Sequence, residues 1–89
     1  MYQIFLEKNV QKFLEKQKWQ PIINQFKRTL TELSLDPYEN SLDIKIIVGL
    51  PHSYRLRIGK YRFLYEIIDD KLIIDFFEAD SRGDIYKKI

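Results

Sequence analysis

The stretch Tyr54-Arg-Leu-Arg-Ile-Gly-Lys-Tyr-Arg-Phe-Leu-Tyr-Glu-Ile-Ile68 constrains the fold more than any other part of this chain. Two runs rich in Ile, Leu, Phe and Tyr flank Gly59-Lys60, a pair suited to a two-residue hairpin loop. With that loop, Ile58 faces Tyr61, Arg57 faces Arg62 and Leu56 faces Phe63. Side chains alternate across a strand. Tyr54, Leu56, Ile58, Tyr61, Phe63, Tyr65 and Ile67 then share one face, and that face is wholly apolar or aromatic. It must be covered. Arg55, Arg57, Arg62, Leu64 and Glu66 share the other.

The first half of the chain supplies the cover. Val10, Phe13 and Leu14 recur at helical spacing and predict a short helix over 9–17. Ile22, Ile23, Phe26, Leu30 and Leu33 continue the period in a second helix. Pro21 suits that helix's first turn, and Asp36-Pro37 ends it, because the residue before proline avoids helical angles. A short strand is expected over 2–6. In the second half, 42–48 and 71–77 read as further strands, bounded by Gly49-Leu50-Pro51 and Asp69-Asp70. Their connections are too short for parallel crossovers, so the strands form an antiparallel meander. With Asp69-Asp70 as the next turn, Asp75 falls opposite Leu64 and Phe77 opposite Arg62. The expected fold is α+β: two N-terminal helices packed on one face of a mainly antiparallel β-sheet. With 89 residues, 45% of them hydrophobic, the chain is read as a single domain over 1–89.

Composition removes several kinds of chemistry. There is no cysteine, so disulfides, zinc-thiolate sites and thiol catalysis are excluded. A single histidine, His52, excludes His-cluster metals and paired-His acid/base catalysis. His52 lies in a turn and is read as a polar loop residue. Trp19, just before Pro21, is read as a packing anchor. No metal or other cofactor is expected. No apolar run approaches the roughly 20 residues of a membrane span, and no signal peptide is read at the start. No membrane partner and a cytoplasmic location are expected.

The formal net charge is only +2, but its distribution is uneven. Four of the five arginines lie between Arg55 and Arg82, and 50–65 contains Arg55, Arg57, Lys60 and Arg62 with no acid. Arginine's planar fork suits phosphate. Like charges directly opposed across a ladder are destabilising, so Arg57 facing Arg62 breaks a local rule. Two readings stand at this point. One is a solvated face with nearby acids neutralising the arginines. The other is an anion site, with phosphate held between the pair. Phe77 is either a core residue or a platform for base stacking. In the tail, Arg82 lies four residues before Tyr86.

Two strings carry a resemblance to a known family. Gly49-Leu-Pro-His-Ser-Tyr-Arg-Leu-Arg-Ile-Gly-Lys-Tyr-Arg-Phe-Leu-Tyr-Glu-Ile67 and Ser81-Arg-Gly-Asp-Ile-Tyr-Lys87 resemble the RelE/ParE superfamily of bacterial and archaeal toxins. The resemblance implies a RelE-like fold and, in the RelE branch, a metal-independent endoribonuclease. Such toxins cut messenger RNA in the ribosomal A site by 2′-hydroxyl attack, leaving a 2′,3′-cyclic phosphate. It also implies a cognate antitoxin that masks or distorts the site. Carried onto this sequence, the catalytic set is Arg57, Arg62, Arg82 and Tyr86. Arg55, Lys60 and Phe77 are the expected RNA-binding residues, with Arg55 orienting the backbone. Where many relatives carry Lys-Leu-Lys, this chain has Ile46-Ile47-Val48, a less basic loop. The alternatives are the ParE branch, which poisons DNA gyrase and lacks the catalytic arginine set, and a noncatalytic RNA-binding or regulatory domain on the same scaffold.

Overall fold

A computed structural model describes residues 1–17 and 21–81. The order is β1 (Gln3–Leu6), α1 (Lys8–Lys16), α2 (Ile22–Leu35), β2 (Asp43–Ile46), β3 (Ser53–Ile58), β4 (Tyr61–Ile68) and β5 (Ile73–Asp80). The strands form one five-stranded sheet in the order β1-β5-β4-β3-β2. The two helices lie on one face of it, as the periodicity predicts. No helix among the described residues is long and apolar enough to cross a membrane.

The helices are there because the aromatic face needs them. Val10 of α1 and Ile22, Phe26 and Leu33 of α2 are buried with Leu56, Phe63, Tyr65, Ile67, Ile74 and Phe76 of the sheet. Phe26 stacks on Phe63, with ring centroids 4.5 Å apart, and meets Phe76 edge-on at 5.5 Å. Each fully buried side chain of this size contributes roughly 1.5–3 kcal/mol from its removal from water. Neither helix has a side-chain N-cap. Packing of the amphipathic face, more than end-capping, therefore holds them.

Local chemistry sets the exit from α2. Asp36 takes extended angles before Pro37, as expected. Its Oδ1 accepts the backbone N–H groups of Tyr38 and Glu39, each at 2.9 Å, and turns the chain. Tyr38 then donates its hydroxyl to Asp69 Oδ2 at 2.5 Å, while Tyr2 donates to Asp69 Oδ1 at 2.6 Å. One carboxylate thus ties β1, the α2–β2 loop and the β4–β5 turn together.

The β3–β4 hairpin has the expected register. Ile58 pairs with Tyr61, Arg57 with Arg62 and Leu56 with Phe63. Gly59 takes φ +60°, which the tight loop requires and a side chain resists. The direction of the first strand was left open by the sequence: β1 runs parallel to β5, pairing Ile4 with Ile74. That pairing joins the two ends of the described fold, so short-loop reasoning does not reach it. Two expectations are corrected. First, Asp69-Asp70 is not a two-residue turn. A 3-10 turn over Asp69–Lys71 and a left-handed Leu72 leave Ile68 opposite Ile73. Second, the β4–β5 ladder slips beyond Tyr65–Phe76, so Leu64 faces Glu78 and Arg62 faces Asp80. Phe77 is the extra residue of a β-bulge. The longer turn puts Asp75 opposite Glu66 rather than Leu64, and Phe77 is not opposite Arg62.

Candidate functional site on the open face of the sheet

The sheet face away from the helices carries the arginines. One rung across four strands reads Asp43 on β2, Arg57 on β3, Arg62 on β4 and Asp80 on β5. The two guanidinium-bearing residues are direct neighbours, with an aspartate outside each. Arg57 is about half exposed, and its Nε lies 3.1 Å from Asp43 Oδ2. Arg62 is partly buried; its Nη1 donates to the Lys60 carbonyl at 3.5 Å, a weak contact.

Arg55 departs from expectation. It is 6% exposed, and its Nη2 donates to Asp43 Oδ1 at 2.9 Å. Its Nε is buried with no hydrogen-bond partner among the described residues. A guanidinium so enclosed makes a structural contact with Asp43 and has little surface to offer the RNA backbone that Arg55 is expected to orient. Lys60 sits in the hairpin loop with its ammonium 5.5 Å above the Tyr61 ring, drawn toward the helix side. Phe77 is partly buried and packs on Ile47 and Leu64, with Leu50, in a small apolar cluster on the open face. Arg82 and Tyr86 lie outside the described residues, as does Trp19.

Further along this face the charge reverses. Glu66 faces Asp75 across β4 and β5, and Glu7 shares a hydrogen bond with Asp75. That bond, then loss of solvent and the repulsion of Asp75, Glu66 and Glu78, holds the Glu7 carboxyl above its usual range. The sheet thus runs from arginines beside β2 and β3 to carboxylates beside β5 and β1. Two concavities border it. One, of about 340 Å³, is lined by Phe5, Leu6, Glu7, Ile68, Ile73 and Asp75. The other, of about 470 Å³, follows the Ile46–Tyr54 loop. Neither contains an arginine. The guanidinium groups stand on an open surface, an arrangement suited to an extended polyanion more than to an enclosed small molecule. Among the described residues no group of three carboxylates or imidazoles is placed to hold a metal ion.

Asp43 was not singled out in the sequence. Its contact with Arg55 and Arg57 depends on the β2–β3 register, which a loop over 47–52 leaves open. Period-2 alternation around Ile44 and Ile46 was the one available signal that Asp43 shares a face with the arginines.

Two helices on one side of a mainly antiparallel sheet, with an opposed arginine pair on the other, define a small α+β protein. A family model for the ParE toxin of type II toxin–antitoxin systems, parDE, matches residues 4–86. The putative toxin RelE1 of Methanocaldococcus jannaschii is 33% identical over 66 residues, 73% of each chain. A chain of the RelB–RelE antitoxin–toxin complex from Methanococcus jannaschii is 30% identical, with a TM-score of 0.68 over 96% of this chain and 98% of that one. The isolated E. coli RelE toxin superposes with a TM-score of 0.75 at 21% identity, over 99% of this chain and 94% of that one, a likeness of fold. This chain belongs to the RelE/ParE superfamily of toxins of type II toxin–antitoxin systems.

Proposed function

We propose that this toxin is a metal-independent endoribonuclease that cuts messenger RNA in the ribosomal A site and so stops translation in the cytoplasm. The observation that carries the reading is the direct opposition of Arg57 and Arg62 on the open sheet face. A bound phosphate relieves that opposition. In the reaction the 2′-hydroxyl attacks its own 3′ phosphorus, the bond to the 5′ oxygen breaks, and a 2′,3′-cyclic phosphate and a free 5′-hydroxyl result. Charge builds on the phosphoryl oxygens, where guanidinium donors stabilise it. Arg57 and Arg62 take that role, joined by Arg82, which follows the end of β5 by two residues in the sequence. Tyr86 stacks on a base or assists the proton leaving the 2′-hydroxyl. Phe77 offers the exposed part of its ring to a base, and Lys60 adds to the positive field of the loop. The carboxylates beside β5 and β1 repel phosphates and confine the strand to the arginine half. The requirement for a 2′-hydroxyl limits the activity to RNA, and the ribosome supplies strand positioning.

The M. jannaschii relative crystallised as a RelB–RelE complex. By analogy this toxin binds a cognate antitoxin, whose acidic side chains complement the arginines.

Primer extension on a reporter messenger in a translating extract, with and without the protein and with and without ribosomes, tests the reading. Cleavage confined to translating samples and in register with codons is expected. The match to a ParE family model favours a second reading, a gyrase poison. Growth arrest without messenger cleavage, together with inhibited DNA supercoiling, would replace the ribonuclease by that activity.

A further inference from the structure

Asp43 stands between two arginines, one buried and one exposed. Its Oδ1 lies 2.9 Å from Arg55 Nη2 and its Oδ2 lies 3.1 Å from Arg57 Nε. We propose that Asp43 is a positioning residue for the Arg57 guanidinium, with buried Arg55 as its anchor; this deepens the ribonuclease reading above and rests on it.

The chemistry follows from which nitrogen is engaged. A guanidinium has five N–H donors in a rigid fork. Asp43 lies against the Nε side of Arg57 as an ion pair, which leaves the edge formed by the two terminal nitrogens to meet a phosphate end-on. Without Asp43, the Arg57 side chain, about half exposed, rotates freely and presents any edge. A carboxylate beside a phosphate-binding arginine also weakens its pull on the anion. Arg55 offsets this, because Arg55, Asp43 and Arg57 together remain net positive.

The pair is more than a surface ion pair, which by itself contributes little. Arg55 is 6% exposed, and its Nε has no hydrogen-bond partner among the described residues. Burying a guanidinium incompletely satisfied is unfavourable, and an aliphatic side chain of similar volume fills such a site at least as well. Holding Asp43 in place gives the buried charge a use that packing does not.

Two measurements on the full-length toxin test this. The first does not involve RNA. In the ¹⁵N-labelled protein, with the signal assigned by its loss in Arg57→Lys, the Arg57 Nε–H exchanges slowly with water. Asp43→Asn abolishes that protection. Unchanged exchange in Asp43→Asn overturns the proposal. The second is steady-state cleavage on programmed ribosomes. Asp43→Asn lowers kcat about tenfold or more, in the range that misplacing a reacting group produces, with KM little moved. In an Arg57→Ala background the same substitution has no further effect. Cleavage by Asp43→Asn at or above the wild-type rate overturns the proposal, as does an equal loss in the Arg57→Ala background. If Asp43→Asn does not fold, the charge-balanced Asp43→Asn/Arg55→Met variant takes its place with the same expectations. Full activity of Arg57→Ala itself would instead sink the ribonuclease assignment of the arginines, and the exchange measurement would still decide whether Asp43 orients Arg57.

Discussion

Arg62 and Asp80 are partners across β4 and β5 because the ladder slips by one residue at Phe77. Without the slip, Ala79 would occupy that position, Phe77 would face Leu64, and Asp80 would lie beyond the rung. The bulge therefore decides what chemistry borders the arginine pair: a carboxylate on the rung, and an aromatic ring set back from it against Leu64 and Ile47.

Arg62→Ala is the most direct probe of the site. Its side chain is only partly buried and makes a weak contact with the Lys60 carbonyl at 3.5 Å. Thermal stability should change by no more than about 0.5 kcal/mol, the usual range for surface positions. Cleavage on ribosomes should fall by about 10²–10³ in kcat, as on removing a donor that stabilises developing charge. Parallel melting curves and single-turnover assays check both halves.

Phe77→Ala separates packing from stacking. Loss of contact with Leu64 and Ile47 should lower stability by about 1–2 kcal/mol, less than the ~3–5 kcal/mol of a fully buried phenylalanine. Urea midpoints read this. If the ring also stacks on a base, KM for programmed ribosomes should rise about tenfold, the lower end of what base–aromatic stacking contributes. An unchanged KM with the stability loss in place would leave Phe77 as packing alone.

Asp69→Asn tests the tie between β1, the α2–β2 loop and the β4–β5 turn. The Tyr2 hydroxyl, then the Tyr38 hydroxyl, hydrogen-bonds the Asp69 carboxylate and holds its pKa below the usual value. A carboxyl depressed in the folded state stabilises it above the unfolded pKa, about 3.9, and that contribution disappears as pH falls through the folded value. Asp69→Asn should therefore melt at a lower temperature than the parent at pH 7. The two melting curves should converge as the pH falls through the lowered folded pKa. Melting from pH 2 to 8 checks the shape.

Glu7→Gln should behave in the opposite sense. The hydrogen bond with Asp75 raises the Glu7 pKa in the folded protein. A carboxyl so raised stabilises the fold below its unfolded pKa of about 4.3, and the contribution is lost as pH rises through the folded value. At pH 7 the charged Glu7 faces Asp75, so Glu7→Gln should raise the melting temperature there. Near pH 3 the advantage should vanish. A variant melting below the parent at pH 7 would show that the Glu7 carboxylate is instead stabilised where it stands.

The local sequence determined much of this protein. Alternation on either side of Gly59-Lys60 set the hairpin, its register and its two faces, since a two-residue loop admits little slippage. Helical spacing of Val10, Phe26 and Leu33 identified what covers the aromatic face. The opposition of Arg57 and Arg62 followed from the same short-range rules. The tertiary structure decided what depends on contacts distant in sequence. Parallel pairing of β1 with β5 joins residues about seventy positions apart, and no turn signal specifies it. The bulge at Phe77 adds a single residue, invisible to alternation, and re-aims the end of β5. Most of all, Arg55 and Arg57 look alike in sequence, two residues apart on one face. Which is buried and which is exposed was decided by the neighbours that the assembled sheet brings to that face. Asp43 entered the site by the same route, because strand pairing across a longer loop is set by packing, not by the loop itself.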